Sequence, residues 1–186
     1  YLDKSEFSGG NIVLNLSSKK GDIKAQLLIS ADGDILKAEP KILTDGVFNR
    51  MWFRIPASEN EHIYGCGETF TKFDLRGEKV RIWVAEHQNA SRIAKKIVRN
   101  VFTGSHPDHV GKFLSYESYY AQPTFVSSRK YFVHIASDAY MDFDFTGSEF
   151  HSIAVRDIAS VYIGFGESFE VLSENLSSLL GRQPTL

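Results

Sequence analysis

Apolar and polar residues alternate with a period of two through most of this chain. That pattern puts one face of a strand in a core and leaves the other in water. Ile12, Leu14 and Leu16 alternate with polar neighbours, and a second run from Ile23 to Ile29 follows the turn signal Lys19-Lys20-Gly21-Asp22, which predicts a hairpin. Asp32-Gly33 marks the next turn, and Ile35-Leu36 opens a third strand. Met51, Phe53 and Ile55 alternate with Trp52 and Arg54 until Pro56, which cannot donate to a ladder, stops the run. Tyr131 to Ile135 and Tyr140 to Phe145 predict adjacent strands, and Phe150 to Val155 and Val161 to Phe165 complete the series. Short strands divided by Gly, Asp, Asn and Ser, with no regular helices between them, predict a mainly β fold, an antiparallel β-sandwich rather than a parallel α/β sheet.

Helical spacing is clear only near the C-terminal end. Phe169, Leu172, Leu176 and Leu179 repeat at three and four residues, Ser168 is a suitable N-cap, and Gly181 followed by Pro184 is a stop signal. The spacing therefore predicts a helix of about three turns. Ser91 to Val101 fits either a helix, with Ile93, Ile97 and Val101 on one stripe, or an ordered loop. The division expected is a sandwich over 1–166, then a helix and connector over 167–186.

Composition narrows the function classes. With 186 residues, 42% of them hydrophobic and 13% aromatic, the chain can bury one full core. The formal net charge of -2 supplies no basic field for nucleic acid. The apolar runs are too short to span a membrane, and none near Tyr1 reads as a signal peptide. The single cysteine, Cys66, excludes an internal disulfide and points to a reducing, cytoplasmic setting.

The most distinctive segment is His62-Ile63-Tyr64-Gly65-Cys66-Gly67-Glu68, followed by Phe73-Asp74-Leu75-Arg76-Gly77 and Arg81-Ile82-Trp83-Val84-Ala85-Glu86. Two glycines at i and i+2 permit backbone conformations closed to larger residues, as where a strand turns sharply in a strand-loop-strand connection. Gly65-x-Gly67 lacks the third glycine and following helix of a dinucleotide fingerprint, and no Gly-Lys-Ser/Thr ending makes a P-loop. No cofactor is implied. His106, Asp108 and His109 cluster, but Pro107 breaks helical placement and no further strong ligand is evident, so an exposed loop is expected and no metal. Asp142 and Asp144 share one strand face and read either as an acid/base pair or as a solvated face. No Gly-x-Ser-x-Gly elbow supports a serine nucleophile.

The order Tyr64-Gly65-Cys66-Gly67-Glu68, Arg76-Gly77, then Trp83 and an acidic residue resembles the motif that opens the substrate-facing loop of family 31 glycoside hydrolases. Gln122-Pro123-Thr124-Phe125-Val126-Ser127, Tyr140-Met141-Asp142-Phe143-Asp144-Phe145 and Leu179-Leu180-Gly181-Arg182-Gln183-Pro184 extend the resemblance. Together they are most similar to the bacterial sulfoquinovosidase branch, over roughly Glu61 to Leu186.

The resemblance implies a galactose-mutarotase-like sandwich packed on a (β/α)8 barrel. Two barrel aspartates would act there as nucleophile and general acid/base of a retaining α-glycosidase. No segment of this chain matches those catalytic stretches, and Arg182 to Leu186 resembles the connector that precedes the barrel. The implied role is a non-catalytic domain that lends a loop to the sugar pocket, with a carbohydrate and the barrel as partners. Carried over by motif, Glu86 is the residue expected to bond a sugar hydroxyl, with His87 and Gln88 sharing the rim. Trp83 either stacks on a sugar ring or fills the core, and Arg76 either contacts ligand or holds the loop. Two alternatives stay open. A free-standing carbohydrate-binding sandwich would show exposed aromatics on one face, for which Tyr116, Tyr119 and Tyr120 are candidates. A mutarotase-like enzyme would need a histidine and a carboxylate converging in a concave site.

Overall fold

The alternating segments pair into two antiparallel sheets in the computed structural model, which describes residues 1–68, 72–84, 118 and 120–181. The strands are β1 (Leu2–Ser8), β2 (Asn11–Ser17), β3 (Lys24–Asp32), β4 (Ile35–Ile42), β5 (Met51–Pro56), β6 (Ile63–Gly67), β7 (Lys79–Ile82), β8 (Ala121–Ser127), β9 (Tyr131–Ile135), β10 (Met141–Asp144), β11 (Phe150–Val155) and β12 (Val161–Phe165). Eight of them run β1-β2-β3-β4-β12-β9-β8-β6, and the other four run β5-β11-β10-β7. The mainly β expectation holds, and the inner faces of the two sheets share one core.

Period-two alternation decides what each strand gives to that core. Val133 and Ile135 of β9 lie opposite Ile163 and Val161 of β12, while Met141 and Phe143 of β10 lie opposite Ile82 and Val80 of β7. From β11 come Ile153 and Val155, flanked on β5 by Phe53 and Met51. Phe125 of the large sheet meets Phe143 and Phe145 of the small one edge-on, with ring centroids 5.9 and 5.1 Å apart. Edge-to-face packing of this kind adds to the area it buries.

The large sheet is twice as wide as the small one, so among the described residues part of its apolar face has no opposing strands. Leu14, Leu27 and Pro40 stand in one cross-strand row and Ile12, Ile29 and Ala38 in the next, and Ala38 pairs with the core residue Val161. This face is continuous with the core yet only half-buried, and on the edge strand β1 every residue is exposed. Leu2 and Phe7 carry the same face out to solvent.

Helix α1 (Phe169–Leu180) begins as its sequence predicts, with the Ser168 side chain accepting a hydrogen bond from the Val171 amide. Its buried contact is Leu172, and it lies against β12 and β9. Asn175 Nδ2 donates to the Phe165 carbonyl at 2.8 Å and ties the helix to the end of β12.

β6 ends in the least ordinary backbone among the described residues. Gly65, Cys66 and Gly67 all have positive φ, at 107°, 63° and 88°, and the β6 to β8 register shifts across them. The bulge turns the strand while burying the Cys66 thiol, whose pKa burial pushes up. A Cβ on Gly67 would stand 2.0 Å from the Tyr120 carbonyl oxygen, whereas one on Gly10, also at positive φ, meets nothing within 4 Å. Gly10→Ala should therefore cost about 1 kcal/mol for its conformation alone. Gly67→Ala adds a backbone collision and should cost about 3 kcal/mol or more. Chemical denaturation of the two variants checks this, and equal losses would contradict the close approach.

Candidate functional site

The connection from β6 to β7 is the segment on which the motif residues lie, and its carboxylate and guanidinium fix its described part. Asp74 Oδ1 accepts from the amides of Ile63 and Arg76 at 3.1 and 3.0 Å, and Oδ2 lies 2.6 Å from His62 Nδ1. Burial alone would raise the Asp74 pKa, but the bonds from His62, Arg76 and Ile63 outweigh it and hold the carboxyl below its ordinary range. This is an Asx-type clamp of the loop onto the first residue of β6.

Arg76 takes the loop across to the other sheet. Its Nη1 donates to the carbonyls of Phe145 and Gly147, the latter at 2.8 Å, and Nη2 reaches toward the Ser58 carbonyl at 3.5 Å. The guanidinium fork thus gathers three backbone acceptors from the β10 to β11 turn and the β5 to β6 loop. Leu75, between the two clamps, is buried in the core.

β7 carries the chain on to Trp83, which is 58% exposed and packs against Tyr140 with ring centroids 5.9 Å apart. Trp83 therefore stands at the margin of the small sheet. Of the residues expected at the sugar rim, Arg76 and Trp83 have these positions, while Glu86, His87 and Gln88 lie outside the described residues. So do Ser91 to Val101, the cluster His106, Asp108 and His109, the aromatic residues Tyr116 and Tyr119, and the connector Arg182 to Leu186. Tyr120 is exposed. Among the described residues, no group of three or more His, Cys, Asp or Glu side chains is placed to hold a metal.

Asp142 and Asp144 point outward from β10. Lys79 Nζ lies 2.8 Å from Asp144 and Arg81 Nε 4.0 Å from Asp142, each cation directly across the ladder from its carboxylate. Tyr140 donates its hydroxyl to Asp142 at 2.8 Å.

Among the described residues, two histidine-carboxylate pairs occur. His62 and Asp74 form an exposed one. The other, His151 and Glu61, is wholly enclosed and was not anticipated from the sequence. Glu61 accepts from Ser127 Oγ and from Tyr131 Oη (2.7 Å) on Oε1, and from the Ser58 amide (2.9 Å) and His151 Nε2 (3.0 Å) on Oε2. A buried carboxylate would be costly without such donors. Burial pushes its pKa up, but the four bonds together overcome that and hold it below the usual value.

His151 sits among the rings of Phe125 and Phe145, and its Nδ1 is buried without a hydrogen-bond partner. Protonation there would create a buried donor with no acceptor. Burial first, and then the nearby Arg76 charge, lower the His151 pKa against the opposing pull of Glu61. The sequence held one signal for it, because His151 alternates with Ile153 and Val155 and so belongs to the inner face of β11. With no solvent access this pair joins sheets; it does not meet a substrate.

Both shifts make the unfolded chain the better proton acceptor, so stability rises with pH. It should fall as pH drops below the ordinary histidine value of 6.5, and again below the ordinary glutamate value of 4.5 toward the lower pKa of folded Glu61. Glu61→Gln should cost about 1.5–3 kcal/mol at neutral pH. It should also shrink the lower of the two acid limbs, to which Asp74 and Asp144 contribute as well, while leaving the upper one. Denaturation curves across pH check this, and an unchanged lower limb would show that Glu61 carries none of it.

Comparison with known proteins gives the chain its relatives. Residues 6–94 match the family described as the glycosyl hydrolase 31 N-terminal galactose mutarotase-like domain. Over 171 residues, 91% of its length, the chain is 38% identical to the sulfoquinovosidase of Escherichia coli, and over all 186 it is 33% identical to that of Agrobacterium fabrum. It covers 24% and 26% of those two proteins, so it spans about a quarter of the curated relatives it matches. A family 31 sulfoquinovosidase from E. rectale, solved with an aza-sugar inhibitor, superposes with a TM-score of 0.75 at 29% identity, over 100% of this chain and 26% of that one. The cycloalternan-forming enzyme of Listeria monocytogenes, at 18% identity and a TM-score of 0.75, shares the fold over 100% of this chain and 22% of its own.

Proposed function

Since the chain is a glycosyl hydrolase 31 N-terminal galactose mutarotase-like domain, we propose that it is the non-catalytic part of a retaining α-glycosidase of the sulfoquinovosidase type. In this reading the sandwich over 1–166 packs on a catalytic barrel, and 167–186 supply the helix and connector that lead to it. The segment following Trp83 lends Glu86, with His87 and Gln88 beside it, to the rim of the sugar pocket. The observation that carries the proposal is the 38% identity to a sulfoquinovosidase of which this chain covers only a quarter. The barrel's two carboxylates would do the chemistry, one attacking the anomeric carbon while the other protonates the leaving oxygen.

The geometry supports a supporting role over an independent one. The internal His151-Glu61 pair has no solvent access, which leaves a mutarotase-like reaction without that pair. The half-buried apolar face of β1 to β4, with Phe7 at 77% exposure, suits a domain that rests against a larger body. Asp74 and Arg76 pin the connection that leads into β7, and β7 in turn leads to Trp83, so the start of the segment that would reach the rim is held in place. No helix among the described residues is long and apolar enough to cross a membrane. A lone, buried cysteine suits the cytoplasm.

The test has two arms. The chain alone should release no nitrophenol from 4-nitrophenyl α-sulfoquinovoside or α-glucoside, because neither displacement step has its carboxylate. Turnover that survives repurification would overturn the proposal. In the enzyme that carries this domain, Glu86→Gln should keep the fold and lower kcat/KM roughly ten- to a hundred-fold, as for loss of a charge-assisted bond to a hydroxyl. Glu6→Gln on the exposed edge strand should leave the kinetics unchanged. If Glu86→Gln also left them unchanged, the loop would be a structural connection only.

A further inference from the structure

The outer face of the small sheet is a trough with a chemically distinct wall on each side. Register sets its plan: one row across the sheet reads Trp52, Ala154, Asp142, Arg81 and the next reads Arg54, Ser152, Asp144, Lys79. The floor is β11, where Ser152 and Ala154 are small. Trp52 rises on one side of it and the two aspartates on the other. Walls two strands apart are separated by about 10 Å at the backbone. The resulting depression holds about 320 Å³ and is lined by both rows apart from Arg54.

Trp52 is 57% exposed although it lies in the middle of a well-paired strand. The Arg54 guanidinium orients it, lying 4.4 Å from the centroid of its ring and 5.6 Å from that of Phe150. A cation shared by two rings stiffens the indole as a platform. Asp144 is fixed as well, accepting from the Thr146 amide and hydroxyl while Lys79 pairs with its other oxygen. Its pKa is lowered by those bonds against the raising effect of burial, so it remains an acceptor. A carboxylate oxygen has capacity for more than one donor, so these pairings leave acceptor sites in the trough.

We propose that this trough binds a neutral saccharide, one pyranose ring stacking its apolar face on Trp52 while its hydroxyls donate to Asp142 and Asp144. The charge pattern selects that class. Asp144 pairs with Lys79 and Asp142 lies across from Arg81, so carboxylates and cations alternate across the face and a polyol finds both acceptors and donors there. The rigid aromatic ring supplies area without costing side-chain entropy, and Ser152 on the floor offers a further hydroxyl. This site lies on the sandwich itself, and it stands or falls independently of the barrel pocket and of Glu86.

The experiment is NMR titration of the ¹⁵N-labelled chain with maltotriose and isomaltotriose. The Trp52 indole N–H and the amides of 142–144 and 152–154 should shift together and saturate, with a Kd in the millimolar range. Trp52→Ala should weaken binding at least about tenfold, and Asp142→Asn with Asp144→Asn about fivefold, as expected for the loss of a stacking surface and of charge-assisted acceptors. Trp52→Phe, which keeps a ring and guards against a folding defect, should retain binding within about threefold. Absence of saturable shifts at about 50 mM saccharide, shifts confined to other surfaces, or binding undiminished in both Trp52→Ala and the double aspartate variant would overturn the proposal. Inorganic sulfate at the same concentration should leave these resonances in place, and displacement by sulfate would show an anion site instead.

Discussion

A carboxylate buried between two sheets can stay charged only if enough donors converge on it, and the arrangement around Glu61 follows from that requirement. Ser127 and Tyr131 come from neighbouring strands of the large sheet, His151 comes from the small sheet, and the Ser58 amide comes from the loop joining the sheets. Each donor fixes the element that carries it. The position of β6 relative to β11 is therefore set by hydrogen-bond geometry as well as by the phenylalanines beside it. A core of aliphatic and aromatic side chains tolerates sliding, whereas four directional bonds to one group do not.

From that anchor the order is handed along the chain. Glu61 lies just before β6, and Asp74 clamps the returning loop onto Ile63 at the start of that strand. Arg76 then fastens the loop to the turn after β10, and β7 pairs with β10 up to Ile82. Trp83 is the first side chain after β7 to emerge from this sequence of constraints. In the proposed reading, a pocket-rim residue three positions further on inherits its placement from them. The same pairing gives the outer face of the small sheet its regular rows, so the trough beside Trp52 and the position of Trp83 depend on one framework.

Much of the fold was legible in the sequence. Strands with a clean two-residue period, such as Met51–Pro56 and Met141–Asp144, form as read, and the Ser168 cap and the leucine spacing placed α1. Tyr131–Ile135 and Met141–Asp144 were expected side by side, yet they fall in opposite sheets, because alternation fixes a strand's faces and not its partner. β1 was not read because it runs Leu-Asp-Lys-Ser-Glu-Phe-Ser, an exposed edge strand with no buried face to impose alternation. β6 and β8 were met as motif residues and not as strands, Gly65-Cys66-Gly67 reading as a sharp turn, yet the two pair with each other at the edge of the large sheet. The loop's own signals were partly visible. Two glycines at i and i+2 foretold a sharp bend, but nothing local foretold that Arg76 would find its acceptors about seventy residues away at Phe145 and Gly147. The Glu61 network was hidden for a related reason: its members are scattered between Ser58 and His151, and only tertiary pairing brings them together. Contacts of long sequence separation leave no periodic trace.

The central claim is that this sandwich serves a sugar pocket through the segment that follows Trp83. The most direct measurement is a crystal structure of the enzyme carrying this domain with an aza-sugar inhibitor in its pocket. The account predicts a Glu86 carboxylate oxygen about 2.6–3.2 Å from a ring hydroxyl or its nitrogen equivalent. A pocket closed entirely by other segments, with residues 85–88 turned away from the inhibitor, would contradict it.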